Sequence, residues 1–217
     1  MLISEPPVCP EAMDVAFLMD ASGSVGAANF EKQKEFIKAI AGTLGLKSGL
    51  ARAGSLVYSD MATVQQSFDG SNGTHSVIEA VDHIPYYGRT TRIDRALSLA
   101  NTDLFSDAGG VRSYVANTLL LLTDGTQTPA ADSISMERAV KPLKEKKVTR
   151  IALGIGDQIS PAELRKVVDG DEDVVTVDSF DDLISSMHMV SEKLCTSAGE
   201  ITLIPLAQGK WCSEGSL

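Results

Sequence analysis

One stretch near the start of the sequence decides the fold and also carries its most informative polar side chains. Residues 14–24 read DVAFLMDASGS. The five residues before Asp20 are all apolar, and so short a run predicts a strand that is buried on both faces. Ser22 and Ser24 follow Asp20, and Gly23 between them permits the chain to curl. The stretch therefore predicts a buried strand with oxygen-bearing side chains at its carboxyl end.

The rest of the chain repeats this alternation of apolar runs and polar loops. A second buried strand is predicted over residues 118–123 and ends at Asp124, and further strands are predicted at 149–154 and 174–177. The short turn at 59–62 joins two strand candidates, which makes that pair antiparallel. Continuous apolar strands separated by helices predict an α/β fold of the doubly wound, Rossmann-like type. We expect a mostly parallel sheet with one antiparallel edge strand and helices on both faces.

Helices are predicted where apolar residues recur at helical spacing. The longest of these segments are 29–44, 93–104, 133–147 and 180–194. The resulting domain is expected to span residues 10–195. Residues 196–217 would form a C-terminal tail or the start of a further module.

Composition narrows the class of protein. The chain has 217 residues, with 19 basic and 29 acidic side chains and a net charge of −10. Its longest apolar runs fall far short of the ~18–20 residues that span a bilayer, so we do not expect a transmembrane protein. The acidic excess, without a block rich in Lys or Arg, argues against nucleic acid or an anionic membrane as partner. A cation or a basic surface fits better.

Three loops share one chemical property and lie where ligands bind in such folds. Ligands of open α/β sheets bind outside the carboxyl ends of the strands. The loops in question begin at Asp20 and at Asp124, and a third runs over residues 87–92 into a helix. They offer two carboxylates and several hydroxyls but no thiol or imidazole, and oxygen ligands of this kind suit a hard cation such as Mg²⁺. The same residue types also occur in helix caps and Asx turns. Three such loops at successive strand ends favour the metal site.

These segments resemble the von Willebrand factor type A domain. The resemblance rests on residues 14–24, 88–91 (GRTT), 122–125 (LTDG) and 152–156 (ALGIG), and it covers nearly the whole of 10–195. In that family these positions form a metal-ion-dependent adhesion site, which holds Mg²⁺ or Mn²⁺. The resemblance implies the ligands Asp20, Ser22, Ser24, Thr91 and Asp124.

The threonine ligand has two candidates. Counting back from Ala96 in the following helix selects Thr91, with Thr90 as the alternative. The family pattern usually has two glycines before this threonine, whereas this sequence has Arg89 and Thr90 there. That departure leaves the register open but not the site. Tyr87, Arg89 and Thr90 lie beside the expected metal and are candidate contacts to a partner.

The resemblance also implies a function. It indicates an extracellular adhesion module in which the bound metal accepts a Glu or Asp carboxylate from a protein partner, collagen or another matrix protein. The alternative is a structural matrix-assembly domain in which metal-dependent binding is not the main role. An enzyme is not expected, because the Asp20 loop lacks the paired carboxylates of metal-dependent phosphatases and no general base is placed nearby.

The cysteines and one sequon bear on location. Cys9 and Cys195 bracket the predicted domain, which suits a disulfide that ties its ends together, while three reduced thiols are the alternative. The resemblance implies the Cys9–Cys195 pair and, with it, a secreted, matrix or cell-surface location. Cys212 lies in the tail, and its partner is left open. Asn72 begins an Asn-Gly-Thr sequon, a glycosylation site if the protein is secreted.

Overall fold

A single six-stranded sheet organises the domain. The computed structural model describes residues 12–199. The strands are β1 (Met13–Asp20), β2 (Ala51–Tyr58), β3 (Ala62–Gln66), β4 (Ala116–Thr123), β5 (Thr149–Ile155) and β6 (Val174–Val177). Their order is β3-β2-β1-β4-β5-β6, and every neighbouring pair is parallel except β2 and β3. The predicted sheet with one antiparallel edge strand is confirmed.

Helices cover both faces of this sheet, as predicted. They are α1 (Ala27–Thr43), α2 (Thr74–Asp82), α3 (Ile93–Leu99), α4 (Met136–Glu145), α5 (Pro161–Leu164) and α6 (Leu183–Gly199). β1 is buried along its whole length, and its successive side chains point to opposite faces. Val15 and Phe17 belong to the core that contains the apolar residues of α1, α2 and α6. Ala16 and Leu18 belong to the core that contains those of α3 and α4.

The helix predicted over residues 93–104 changes its winding near its end. α3 has α-helical geometry only to Leu99, and one π-helical turn follows over Ala100–Leu104. The Phe105 amide closes that turn by donating to the Ala100 carbonyl oxygen at 2.8 Å. The Phe105 ring, which follows this turn directly, packs on Phe68 with ring centroids 5.5 Å apart. The apolar pattern could not reveal this change, since it is satisfied by either winding.

The helix predicted over residues 133–147 begins later than expected. α4 starts at Met136 because the Ser135 side chain caps it, accepting a hydrogen bond from the Arg138 amide. The Ile134 amide, just upstream, donates instead to the Asp94 carboxylate at 3.1 Å. This tertiary hydrogen bond holds Ile134 outside the helix, although the apolar periodicity had predicted Ile134 to be helical.

The polar loops meet at the end of the sheet formed by the carboxyl ends of β1 and β4. The chain runs from β1 outward to β2 on one side and later returns to β4 on the other side. The crevice between the carboxyl ends of β1 and β4 is therefore the topological switch point of the sheet. Asp20 ends β1, and Asp124 follows β4 directly. Within residues 12–199, no helix is long and apolar enough to cross a membrane.

Candidate metal centre

The loop after β1 curls as its glycine predicts. Asp20 is fully buried, and its Oδ1 accepts a hydrogen bond of 2.9 Å from the Ser22 amide. The Gly23 amide donates to the Arg89 carbonyl oxygen at 2.7 Å. A Cβ at Gly23 would lie 3.3 Å from the Gly88 carbonyl oxygen, tighter than ordinary van der Waals contact. Glycine here lets the first and third polar loops touch.

The loop after β4 joins the same cluster. The Ser24 hydroxyl donates to Asp124 Oδ1 at 2.8 Å, and the Ser22 and Ser24 hydroxyl oxygens lie 3.2 Å apart. The chain thus brings together four oxygen-bearing side chains from loops that are 100 residues apart in sequence. The four are Asp20, Ser22, Ser24 and Asp124.

The third loop presents the two candidate threonines differently. Thr91 is only 6% exposed, whereas Thr90 is an exposed residue. The Thr91 amide donates to the Thr128 hydroxyl at 3.1 Å, and the Thr128 amide donates back to the Thr91 carbonyl oxygen at 2.8 Å. No hydrogen bond within the described residues uses the Thr91 hydroxyl. The structure thus distinguishes a buried Thr91 from an exposed Thr90, and the assignment of Thr91 as the ligand stays a prediction.

The two carboxylates of the cluster lack a cation of their own. Burial raises the pKa of Asp20 to about 6, against hydrogen bonds from Ser22 and Thr123 that lower it, and Asp124 adds a smaller repulsion. Burial also raises the pKa of Asp124, which the Ser24 hydrogen bond opposes. No basic side chain among residues 12–199 forms an ion pair with either carboxylate. The site therefore concentrates negative charge that the described chain leaves uncompensated.

The donor set fits a hard divalent cation. Two carboxylates balance two positive charges, and Ser and Thr hydroxyls add neutral oxygen donors of the kind that Mg²⁺ accepts. The described part of the chain holds no group of three or more His, Cys, Asp or Glu side chains that could bind a metal. A cation at the candidate site would accordingly depend on hydroxyl ligands as well as the two carboxylates.

A second buried polar cluster lies beside Thr91, and sequence reasoning missed it. The Arg92 guanidinium donates to both Asp94 oxygens, at 2.8 and 2.9 Å, and to Asp132 at 2.9 Å. Gln127 donates to Asp94 and accepts from the Asp94 amide. Burial alone would raise the pKa of Asp94, but the hydrogen bonds from Arg92, Gln127 and the Ile134 amide lower it to about 2. The only sequence signal is an Arg and an Asp two residues apart before a helix, which is not specific.

The remaining predicted residues lie in different places. Arg89 is at the rim of the site with a 69% exposed side chain, and its guanidinium lies 3.3 Å from an Asp60 carboxylate oxygen. Tyr87 is 40% exposed on the same loop. Asn72 is exposed, in the turn before α2. Cys9, like Cys212, lies outside the described residues, so the Cys9–Cys195 pairing stays a prediction.

Fold and site together define a class of protein. The domain is a doubly wound α/β domain whose switch point gathers carboxylates and hydroxyls. The sequence model of the von Willebrand factor type A domain matches residues 14–188. The chain belongs to this family, which confirms the resemblance seen in the sequence.

Curated relatives place the family in a biological setting. The chain is 27% identical to mouse integrin alpha-X and 26% identical to the human collagen alpha-1(XXI) chain, each over 89% of this chain. It is 30% identical to mouse matrilin-2 over 86% of this chain. These matches span only 17%, 20% and 19% of the respective relatives. Such relatives are extracellular matrix or cell-surface proteins, as predicted for this chain, and their type A domains are binding modules.

Solved structures confirm the fold. Proximal thread matrix protein 1 from the mussel byssus superposes with a TM-score of 0.81 at 22% identity, over 87% of this chain and 49% of that one. A second structure of the same protein, described as having a zinc-occupied MIDAS motif, gives a TM-score of 0.80 at the same identity, with the same coverage of both chains. Both belong to a matrix protein.

Proposed function

We propose that this domain is an extracellular, metal-ion-dependent protein-binding module of the adhesion type. A Mg²⁺ or Mn²⁺ ion held by Asp20, Ser22, Ser24, Thr91 and Asp124 would accept a Glu or Asp carboxylate from the partner. The observation that carries the proposal is the buried, uncompensated Asp20 beside Asp124 at the switch point. A buried carboxylate without a cationic partner is costly, and an external cation removes that cost.

The charge balance of the ligand set explains why such a metal would bind an acidic partner. Two carboxylates balance the charge of a divalent ion, and the hydroxyl ligands add no further negative charge that would repel an anion. The ion consequently keeps affinity for a further anionic oxygen. What the metal supplies when bound is this Lewis acidity; the chain itself fixes the ligand positions through the hydrogen bonds described above.

The rim of the site and the family relatives indicate the class of partner. Tyr87, Arg89 and Thr90 are exposed beside the cluster and would contact residues around the partner's carboxylate. We propose collagen or another matrix protein as that partner, since collagen chains and a matrilin are among the relatives. We also propose that the domain has no catalytic activity, because it belongs to a family that acts in integrins, collagens and matrilins as a binding module.

Binding to immobilised fibrillar collagen, measured by biolayer interferometry with Mg²⁺ and with EDTA, tests this proposal. We expect binding that EDTA abolishes and that Asp20→Ala abolishes as well. Asp157→Ala is the matched control, since it removes an exposed acidic side chain at the same end of the sheet. Collagen binding that survives both EDTA and Asp20→Ala would contradict metal dependence. Self-association that persists in EDTA, seen by analytical ultracentrifugation without collagen binding, would favour the matrix-assembly role.

A disulfide at Cys195 and a glycan at Asn72 are the covalent modifications that we propose for an extracellular domain. Cys195 is disulfide-bonded, and its partner lies outside the described residues. We propose Cys9 as that partner, closing a domain over residues 10–195, with 196–217 as the tail, although α6 continues to Gly199 and Ser197 contacts Thr118 of β4. Asn72, exposed in its turn, is the proposed glycan attachment site. Peptide mapping by mass spectrometry under non-reducing conditions, with and without glycosidase, identifies both.

A further inference from the structure

Two adjacent residues at the carboxyl end of β2 lie next to the proposed metal site: one contacts the ligand Asp20, and the other contacts the residues on both sides of Thr91. Tyr58 is the last residue of the strand and Ser59 the first of the following turn. Both are fully buried. β2 runs parallel to β1, so its end lies at the same edge of the sheet as Asp20.

Tyr58 helps to fix the Asp20 carboxylate. The Tyr58 hydroxyl lies 2.8 Å from the Leu122 carbonyl oxygen and 3.3 Å from Asp20 Oδ2, and it can donate to either. The same Oδ2 accepts a hydrogen bond of 2.8 Å from the Thr123 hydroxyl, while Oδ1 accepts from the Ser22 amide. Donors on both oxygens hold the plane of the carboxylate in one orientation before any metal arrives.

Ser59 brackets the candidate threonine ligand. Its hydroxyl accepts a hydrogen bond of 3.0 Å from the Arg89 amide and donates to the Thr90 carbonyl oxygen at 3.2 Å. Its own carbonyl oxygen accepts from the Arg92 amide at 3.0 Å. Three hydrogen bonds from one residue therefore fix the backbone on both sides of Thr91.

We propose that Tyr58 and Ser59 are positioning residues of the metal site, with Tyr58 orienting Asp20 and Ser59 holding the loop that presents Thr91. This inference rests on the proposed metal binding. Groups that orient metal ligands from outside the coordination shell commonly change metal affinity by ~10- to 100-fold when they are removed. The effect arises because a free ligand loop must be ordered when the metal binds, whereas a fixed loop need not be.

Calorimetric titration with Mg²⁺ and with Mn²⁺ tests the inference on the whole chain. We expect Ser59→Ala and Tyr58→Phe each to raise the metal dissociation constant ~10-fold. Ser55→Ala is the matched control for the serine, because Ser55 is buried in the same strand and its hydroxyl has no partner within the described residues. Tyr114→Phe is the control for the phenol, since Tyr114 is 78% exposed. Both controls should bind metal as the wild type does.

A metal-free measurement separates this inference from the proposed function. In EDTA, Ser59→Ala should speed amide hydrogen exchange at Arg89, whose amide donates to the hydroxyl that is removed, whereas Ser55→Ala should leave it unchanged. Wild-type protein that binds neither ion would overturn the metal site and the inference with it. Wild-type protein that binds metal, with Ser59→Ala and Tyr58→Phe no weaker than their controls, would overturn the inference alone.

Discussion

Two buried carboxylates at the same end of the sheet have opposite electrostatic surroundings. Asp94 is 2% exposed, accepts two hydrogen bonds from the Arg92 guanidinium, and has a pKa lowered to about 2. Asp20 is fully buried, accepts only from neutral donors, and has a pKa raised to about 6 by burial. Asp94 therefore has the Arg92 guanidinium as its counter-charge, whereas no basic side chain of residues 12–199 forms an ion pair with Asp20.

This difference separates a structural charge cluster from a binding site. In the internal cluster the charged and polar groups hydrogen-bond to one another, and they hold the loop after β4 against the start of α3. Its members are Asp94, Arg92, Gln127 and Asp132. Asp20 and Asp124 leave their negative charge for a group from outside. Burial and hydrogen bonding alone do not mark a functional carboxylate; the missing counter-charge does.

The largest effect is expected where the internal ion pair is broken. Asp94→Asn leaves the buried Arg92 with only its exposed partner Asp132, and loss of one member of a buried pair costs about 3–5 kcal/mol. Urea unfolding monitored by circular dichroism would measure this drop in the free energy of unfolding. Asp157→Asn, at an exposed acidic position, is the control and should stay close to wild type. A loss equal to that of the control would mean that Arg92 and Asp94 do not stabilise the fold.

A smaller and opposite effect is expected at the uncompensated carboxylate. Saturating Mg²⁺ at about one hundred times its dissociation constant should raise the free energy of unfolding of the wild type by about 2.7 kcal/mol. Asp94→Asn should gain the same increment, because its defect lies outside the metal ligands. Asp20→Asn should gain none, since it removes a ligand charge. Unfolding curves with and without Mg²⁺ measure all three, and an undiminished gain in Asp20→Asn would show that the ion binds elsewhere.

The sequence predicted the sheet and the oxygen cluster for physical reasons that particular residues illustrate. β1 and β4 are buried on both faces, so their apolar runs are continuous, and the shortness of these runs favours strands over helices. Asp20 and Asp124 follow such strands directly, and parallel strands bring their carboxyl ends to one edge. Chain order and strand polarity were sufficient to predict that they meet.

What the sequence could not predict depends on contacts between distant residues. Asp94 meets Gln127 and the Ile134 amide across 33 and 40 residues, and no local pattern records those partners. Ser59 is a different case, because the rule that located Asp20 applies equally to the end of β2. The turn after β2 was interpreted only as a hairpin, and its buried serine was therefore missed.

The smallest effect is expected in the pH dependence of the internal cluster. The folded pKa of Asp94 is about 2, below its ordinary value of 3.8, so the unfolded chain binds more protons between these values. The contribution of ionised Asp94 to the free energy of unfolding is therefore fully present above about pH 4 and is lost as the pH falls toward 2. The difference in unfolding free energy between wild type and Asp94→Asn should stay constant from pH 7 to 5 and shrink below pH 4. Urea titrations across this range in EDTA measure it. A difference that already shrinks between pH 7 and 5 would mean that Arg92 does not hold Asp94 ionised, and the contrast with Asp20 would then fail.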